Sequence, residues 1–252
     1  MKKIFLISFI FSAVAFSQTL IPKLPQITAS SFLLIDAETN KIIAQQNPEA
    51  STGLASITKI MTSYIVADYL KQGFLNIKDS TTVSEKCWRM EGSRMFIQEG
   101  KKVLIEDLMR GMIIQSGNDA ACALAEHIAG TQEDFASLMN DYAQKMELKN
   151  TNFTNPTGLP NVNHYSTAED IAKLSIVLIN DFPDEYAIYS EKEFTYNDIR
   201  QLNRNSLLWQ DDSIDGIKTG HTRASGYCLV ASSKRADMRL ISIVLNSASE
   251  KS

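Results

Sequence analysis

Ser56 and Lys59 stand three residues apart at the head of an apolar run: Ile60, Met61, Tyr64, Ile65, Val66, Tyr69 and Leu70. Apolar residues at three- and four-residue steps make this run a buried helix. Positions i and i+3 share one helical face, so the hydroxyl and the amine can meet. A serine is a weak nucleophile until a neighbouring base takes its proton. A lysine becomes that base once burial or a nearby cation lowers its pKa toward neutrality. Patterns this loose arise often by chance, and alone the pair is the polar first turn of an ordinary helix.

Two further motifs lie downstream. Ser116-Gly117-Asn118 immediately precedes an Ala-rich helix, about sixty residues after Ser56. Taken alone it reads as a helix cap. Lys218-Thr219-Gly220, followed by His221 and Thr222, reads as a strand edge carrying a cation and a hydroxyl. Gly220 leaves room there for a ligand's backbone, and a carboxylate is the natural guest of lysine and threonine.

The elements that must position these residues fall in a simple order. Ser31–Asp36 and Lys41–Gln45 read as strands joined by a short hairpin loop, and the Ser56 helix ends near Gly73. Ile105–Met112 and Asn118–Ala129 read as helices. A third, capped at Thr131, reaches about Leu148. The 150–163 stretch is a loop dense in Asn, Pro and Gly, and Ser166-Thr167-Ala168-Glu169 forms a capping box for a helix to Asn180. Phe194–Tyr196 is a short strand, Asn203-Arg204-Asn205 a polar turn, and Gly226–Ser233 and Met238–Asn246 are two strands. Strands at both ends and helices between them predict an α+β fold, an antiparallel sheet with a helical insertion.

At 252 residues the chain buries a full core, and its 44% apolar and 21% charged content is that of a soluble globular protein. A formal charge of −4 without a basic run argues against nucleic acid. Met1-Lys2-Lys3, the apolar run to Ala15 and the small residues after it have the layout of a signal peptide, assigned to residues 1–17 and leaving 18–252 as the exported mature chain. The mature protein is therefore expected outside the cytoplasm, and the family resemblance described below implies the periplasm or the outer face of the cytoplasmic membrane. Cys87, Cys122 and Cys228 have no metal-ligand spacing, and at least one must be a free thiol. Cys122 and Cys228 read as small buried apolar residues. Neither a metal nor a cofactor is expected.

Ser-x-x-Lys, Ser-x-Asn and Lys-Thr-Gly, in this order and spacing, are far more specific together than singly. The chain resembles the serine D-alanyl-D-alanine carboxypeptidases, the low-molecular-mass penicillin-binding proteins. Gly92-Ser93-Arg94-Met95-Phe96, Ile114–Ala120, Asn155–Leu159, Asn203–Asn205 and Asp215–Thr222 extend the likeness over nearly the whole of 18–252. The resemblance implies a sheet flanked by helices with the serine at a helix N-terminus in the cleft. The reaction it implies removes the terminal D-alanine from peptidoglycan stem peptides through an acyl-enzyme, with β-lactam antibiotics as inhibitors.

By that resemblance Ser56 is the nucleophile, Lys59 its base and Ser116 a proton relay to the leaving amine. Asn118 would hold the substrate amide. Lys218 as a fixed cation and Thr219 would hold the terminal carboxylate, with Arg204 a second cation nearby. The oxyanion hole would be formed by the backbone N–H groups of Ser56 and His221. His164 either lines the cleft or is structural, and His127 is plain helix. The family usually has a proline shortly before the nucleophile, where this chain has Gly53-Leu54-Ala55. Family members also continue past the equivalent of Ser252 with a helix, often a β-rich domain and an amphipathic membrane anchor, and an arginine near the substrate carboxylate falls in that region. The chain is therefore expected to lack a C-terminal helix, and any membrane association is expected to run through that segment. The rival readings are a D,D-endopeptidase of the same family, a β-lactamase, which lacks a Glu-x-x-Leu-Asn element here, and a catalytically silent penicillin-binding scaffold protein.

Overall fold

The computed structural model describes residues 27–249. Strands β1 (Ala29–Asp36) and β2 (Ile42–Gln46) open the fold. A 3-10 turn over Ala55–Thr58 then runs directly into helix α1 (Lys59–Lys71). The helical region follows: β3 (Ser80–Thr82), α2 (Glu85–Trp88), β4 (Lys102–Leu104), α3 (Ile105–Ile113), α4 (Asn118–Ala129), α5 (Gln132–Lys145), α6 (Ala168–Asp181) and α7 (Pro183–Tyr186). A hairpin of β5 (Glu193–Tyr196) and β6 (Ile199–Leu202) precedes β7 (Ile214–Thr222), β8 (Gly226–Arg235) and β9 (Met238–Ser247).

The main sheet has five strands in the order β2-β1-β9-β8-β7, every neighbour antiparallel. The first two and last three strands of the described chain thus build one sheet around a helical insertion, the α+β arrangement expected. Alternation sets its faces: Ala29, Ser31, Leu33 and Ile35 of β1 point into the core. Helix α6 lies across β1 and β9. Helix α1 is buried over most of its circumference, from Ile60 and Met61 to Val66 and Ala67, because α3, α4, α5 and α6 surround it. Its hydroxyls are satisfied internally, Thr62 donating to the Pro156 carbonyl at 2.7 Å and Ser63 bonding both the Ile60 carbonyl and the Tyr189 hydroxyl.

Two expectations are corrected. Cys122 is not a free apolar residue: it is bonded to Cys87 across 35 residues, stapling α2 to α4, and Cys228 is the buried free thiol. Sequence spacing carried no sign of this because the contact is made only by tertiary packing. The cap of α6 is Thr167, whose hydroxyl accepts from the Asp170 N–H, and not Ser166. Ser166 is already engaged, its backbone paired with Thr52 and its hydroxyl with Thr151. Cys87 itself lies in the short helix α2, whose first turn is capped by the Ser84 hydroxyl.

Candidate active site

The turn that carries Ser56 is tight. In a 3-10 turn residues i and i+3 eclipse, which brings the Ser56 side chain over that of Lys59 at the first position of α1. Ala55 takes a left-handed backbone, φ 47°, and Gly158 presses on it from the 155–159 loop. A Cβ at Gly158, itself at φ +84°, would lie 1.7 Å from the Ala55 carbonyl oxygen, so only glycine fits.

Lys59 is 1% exposed, and its Nζ has three partners. Asn118 Oδ1 and the Thr157 carbonyl oxygen are each at 2.7 Å, and Ser56 Oγ is at 3.0 Å. The first two are acceptors only, and the Asn118 amide is oriented by its Nδ2 donating to the Glu91 carbonyl at 2.6 Å. As an ammonium Lys59 donates to all three; once neutral it keeps two N–H bonds for Asn118 and Thr157 and turns its lone pair to the Ser56 hydroxyl. Burial, and next the Lys218 charge, hold Lys59 well below the usual lysine range, while Asp119 pulls it the other way.

The second wall is the segment before α4. Ser116 is buried with φ 65°, and its hydroxyl has no hydrogen-bond partner among the described residues. Asp119 was not singled out from the sequence, yet it organises this wall. Its carboxylate accepts from the N–H groups of Met95 at 3.0 Å, Phe96 at 2.9 Å, Ile97 at 3.3 Å and Ala120 at 2.9 Å. Burial pushes its carboxyl up, and these N–H bonds oppose that. The 92–97 loop is fastened this way to the head of α4, with the Asn118 N–H bonded to the Ser93 carbonyl at 2.7 Å. Phe96, at φ 69°, joins Ala55 and Ser116 as a non-glycine residue in the left-handed region; such strain gathers where surrounding contacts over-determine the backbone.

Strand β7 is the third wall and an edge of the sheet. A Cβ on Gly220 would lie 3.0 Å from the Ser56 nitrogen and 3.1 Å from the Leu54 carbonyl oxygen, so the glycine lets β7 lie against the turn that carries Ser56. Lys218 is 2% exposed and donates to the Thr219 carbonyl at 3.2 Å. It is less fixed a cation than expected: burial, then the Arg204 charge, bring it down to about 7. Arg204 is exposed on a turn anchored by its neighbours. Asn205 donates to the Gly216 carbonyl, Asn203 to the Tyr189 and Glu191 carbonyls, and the Arg204 N–H to the Ile114 carbonyl. Thr219 is half-buried, and exposed His221 packs on Tyr227 with ring centres 4.2 Å apart.

The structure brings Ser56, Lys59 and Asn118 into direct contact and sets Gly220 of β7 against the same turn. His127 is exposed on α4, whereas His164 is buried and bonded to Thr58. Among the described residues the one cluster with metal-ligating atoms is Cys87, Cys122 and Glu126, where the sulfurs are bonded to each other.

Residues 18–249 match the D-alanyl-D-alanine carboxypeptidase family of peptidases. The chain is 45% identical over 250 residues to the D-alanyl-D-alanine carboxypeptidase DacC of Escherichia coli (strain K12), covering 96% of this chain and 62% of that protein. It is 46% identical over 235 residues to DacA of the same strain, covering 90% of this chain and 58% of that one. It is also similar to the crystal structure of penicillin binding protein 5 from Haemophilus influenzae, with TM-score 0.88 and 47% identity over 91% of this chain and 68% of that one. The chain thus spans about three fifths of the length of these two curated relatives. The α+β architecture is that of the penicillin-binding DD-peptidases, and on fold and sequence together the chain belongs to the D-alanyl-D-alanine carboxypeptidase family.

Proposed function

We propose that this chain is the catalytic region of a serine D-alanyl-D-alanine carboxypeptidase that removes the terminal D-alanine from peptidoglycan stem pentapeptides. The observation that carries the reading is the Lys59 cradle, which leaves the amine one free direction, toward Ser56 at 3.0 Å. Ser56 Oγ attacks the penultimate D-alanine carbonyl, and Lys59 takes its proton. The backbone N–H groups of Ser56 and His221 stabilise the oxyanion, where losing one donor costs roughly 3–4 kcal/mol. Ser116, whose hydroxyl has no partner among the described residues, relays the proton taken up by Lys59 to the leaving D-alanine amine, which returns Lys59 to its neutral form. Water then hydrolyses the acyl-enzyme.

Substrate binding divides between two walls. Asn118 Nδ2 spends one N–H on Glu91 and keeps the other for the substrate amide carbonyl. Lys218, Thr219 and Arg204 bind the terminal carboxylate, and Gly220 lets the substrate backbone run beside β7. A β-lactam enters the same site and acylates Ser56. The leader assigned to residues 1–17 lies outside the described residues; export is supported by the Cys87–Cys122 disulfide, since such bonds persist in oxidising compartments. Among the described residues no helix is long and apolar enough to cross a membrane.

The test is mass spectrometry of a muropeptide pentapeptide incubated with the protein, beside peptide mapping after penicillin treatment. D-Alanine release and an adduct on Ser56, both lost in Ser56→Ala, are expected. Equal turnover of free-acid and C-terminally amidated peptides, or faster release of cross-linked dimers, would favour the endopeptidase. An adduct without turnover would favour a silent penicillin-binding scaffold.

A further inference from the structure

Besides Asn118, the base is held by two pieces of chain distant in sequence, the 55–59 turn that carries Ser56 and the loop whose Thr157 carbonyl accepts from Lys59 at 2.7 Å. One buried side chain touches both pieces. His164 is 4% exposed; its Nε2 lies 2.7 Å from Thr58 Oγ1, and its Nδ1 accepts from the Thr154 backbone N–H at 3.0 Å. Because an N–H points at Nδ1, that nitrogen carries no proton, and Nε2–H must be the group that donates to Thr58. Burial, and then the Lys59 charge, push the imidazole down to about 4, in keeping with a ring held neutral.

Thr58 sits between Ser56 and Lys59 in sequence, and the Gly158 backbone packs over its hydroxyl. A Cβ at Gly158 would fall 2.8 Å from Thr58 Oγ1. Thr154 begins the stretch that turns through Asn155, whose Oδ1 receives the N–H groups of Thr157 at 3.1 Å and Gly158 at 2.7 Å. The path from ring to base is thus short on both sides. One side runs through Thr58 to the helix start, the other through Thr154 and Asn155 to the Thr157 carbonyl. Phe153 holds the ring edge-on, centres 5.7 Å apart.

We propose that His164 is a positioning residue for acylation, a neutral clamp that fixes the separation of Ser56 and Lys59 by tying Thr58 to the loop that carries Thr157. The proposal rests on the reading of Ser56 and Lys59 as nucleophile and base. His164 does not exchange a proton with the substrate. It acts by geometry, and a small displacement of reacting groups is costly: about 1 Å is worth on the order of a hundredfold in rate.

Three variants of the full chain separate this role from plain packing. His164→Leu removes donor and acceptor with little loss of apolar bulk. His164→Gln keeps a donor near the Nε2 position, and Thr58→Val removes the hydroxyl that receives it. Stopped-flow acylation by a fluorescent penicillin gives the dissociation constant of the initial complex and the acylation rate constant separately. His164→Leu and Thr58→Val should each lower the rate constant by roughly tenfold to a hundredfold, leaving the dissociation constant within about threefold. Gln should restore at least half of the logarithmic loss, and the Leu/Val double variant should be no slower than the worse single one. An acylation rate unchanged in Thr58→Val, equal loss in Leu and Gln, or additive losses in the double variant would each overturn the clamp. If Leu fails to fold, Thr58→Val and Gln still decide it. These outcomes are read on enzyme that still labels at Ser56, so failure of the clamp is distinct from failure of the nucleophile assignment.

Discussion

The Cys87–Cys122 bond makes a stability prediction that its place in the fold sharpens. The bond closes a loop across 35 residues. On the chain-entropy account such a closure destabilises the unfolded state by about 4 kcal/mol. For a domain of this size each kcal/mol moves the melting temperature by roughly 2–4 °C, so loss of the bond should lower it by about 8–15 °C. Both cysteines are fully buried, so the double substitution Cys87→Ala/Cys122→Ala leaves only a small void beyond the lost cross-link. Cys228→Ala is the control: that thiol is also buried, pushed up to about 11 by burial, and cross-links nothing. Calorimetry and urea titration of the three proteins measure the effect. Because the bond is buried, a dithiol reductant without denaturant should leave the wild-type melt unchanged over minutes. Penicillin acylation at 25 °C should survive in the double variant, since Asp119 still fastens the 95–97 backbone to α4 through its own hydrogen bonds. A double variant that melts within 3 °C of the Cys228→Ala control would refute the entropic reasoning.

Further outcomes follow from the site. kcat/KM should rise on the acid side as Lys59 loses its proton and fall as pH passes about 7, where Lys218 loses its charge. In kcat the falling limb should move to higher pH, because a bound carboxylate favours the ammonium, and Lys218→Arg should remove it. His164 has a folded pKa depressed from 6.5 to about 4, so the unfolded chain binds the extra proton in that window and stability falls with pH, by roughly 3 kcal/mol at the acid end. Urea titrations at pH 7 and pH 4 should show that loss in the wild type and a smaller one in His164→Gln. Gly220→Ala puts a Cβ 3.0 Å from the Ser56 nitrogen and should slow penicillin acylation at least roughly tenfold; an unchanged rate would mean that β7 can back away from the turn freely.

The parts of this protein visible in its sequence are those with a short-range signal. Ser56 and Lys59 declare themselves through a helical step, and α4 has the bounds expected for it because a motif precedes an Ala-rich run and Gly130, at φ +83°, stops it. The outer strands follow from alternation. What stayed hidden is made by contact alone. The Thr157 carbonyl that grips Lys59 is a main-chain group any residue would offer. Asp119 looks like an ordinary first-turn acid until four N–H groups converge on it. Ser166 and Thr167 each have an acid three residues on, and only the bridge to Thr52 decides which one caps α6. The β3–β4 pair, three residues a side, is too short for periodicity to register.

The position of β7 at the rim of the sheet has a consequence for what the protein can tolerate in a guest. A polypeptide laid along this hem is gripped by peptide groups common to every residue, so the middle of the guest is read for its extended shape more than for its side chains. On the proposed reading, discrimination then falls on the tail, where a free carboxylate either meets Lys218 and Arg204 or does not. The same hem is an invitation to any other unpaired strand. The turn at Ala55–Thr58 packs against Gly220 of this strand and so covers part of the hem that a neighbouring sheet would need.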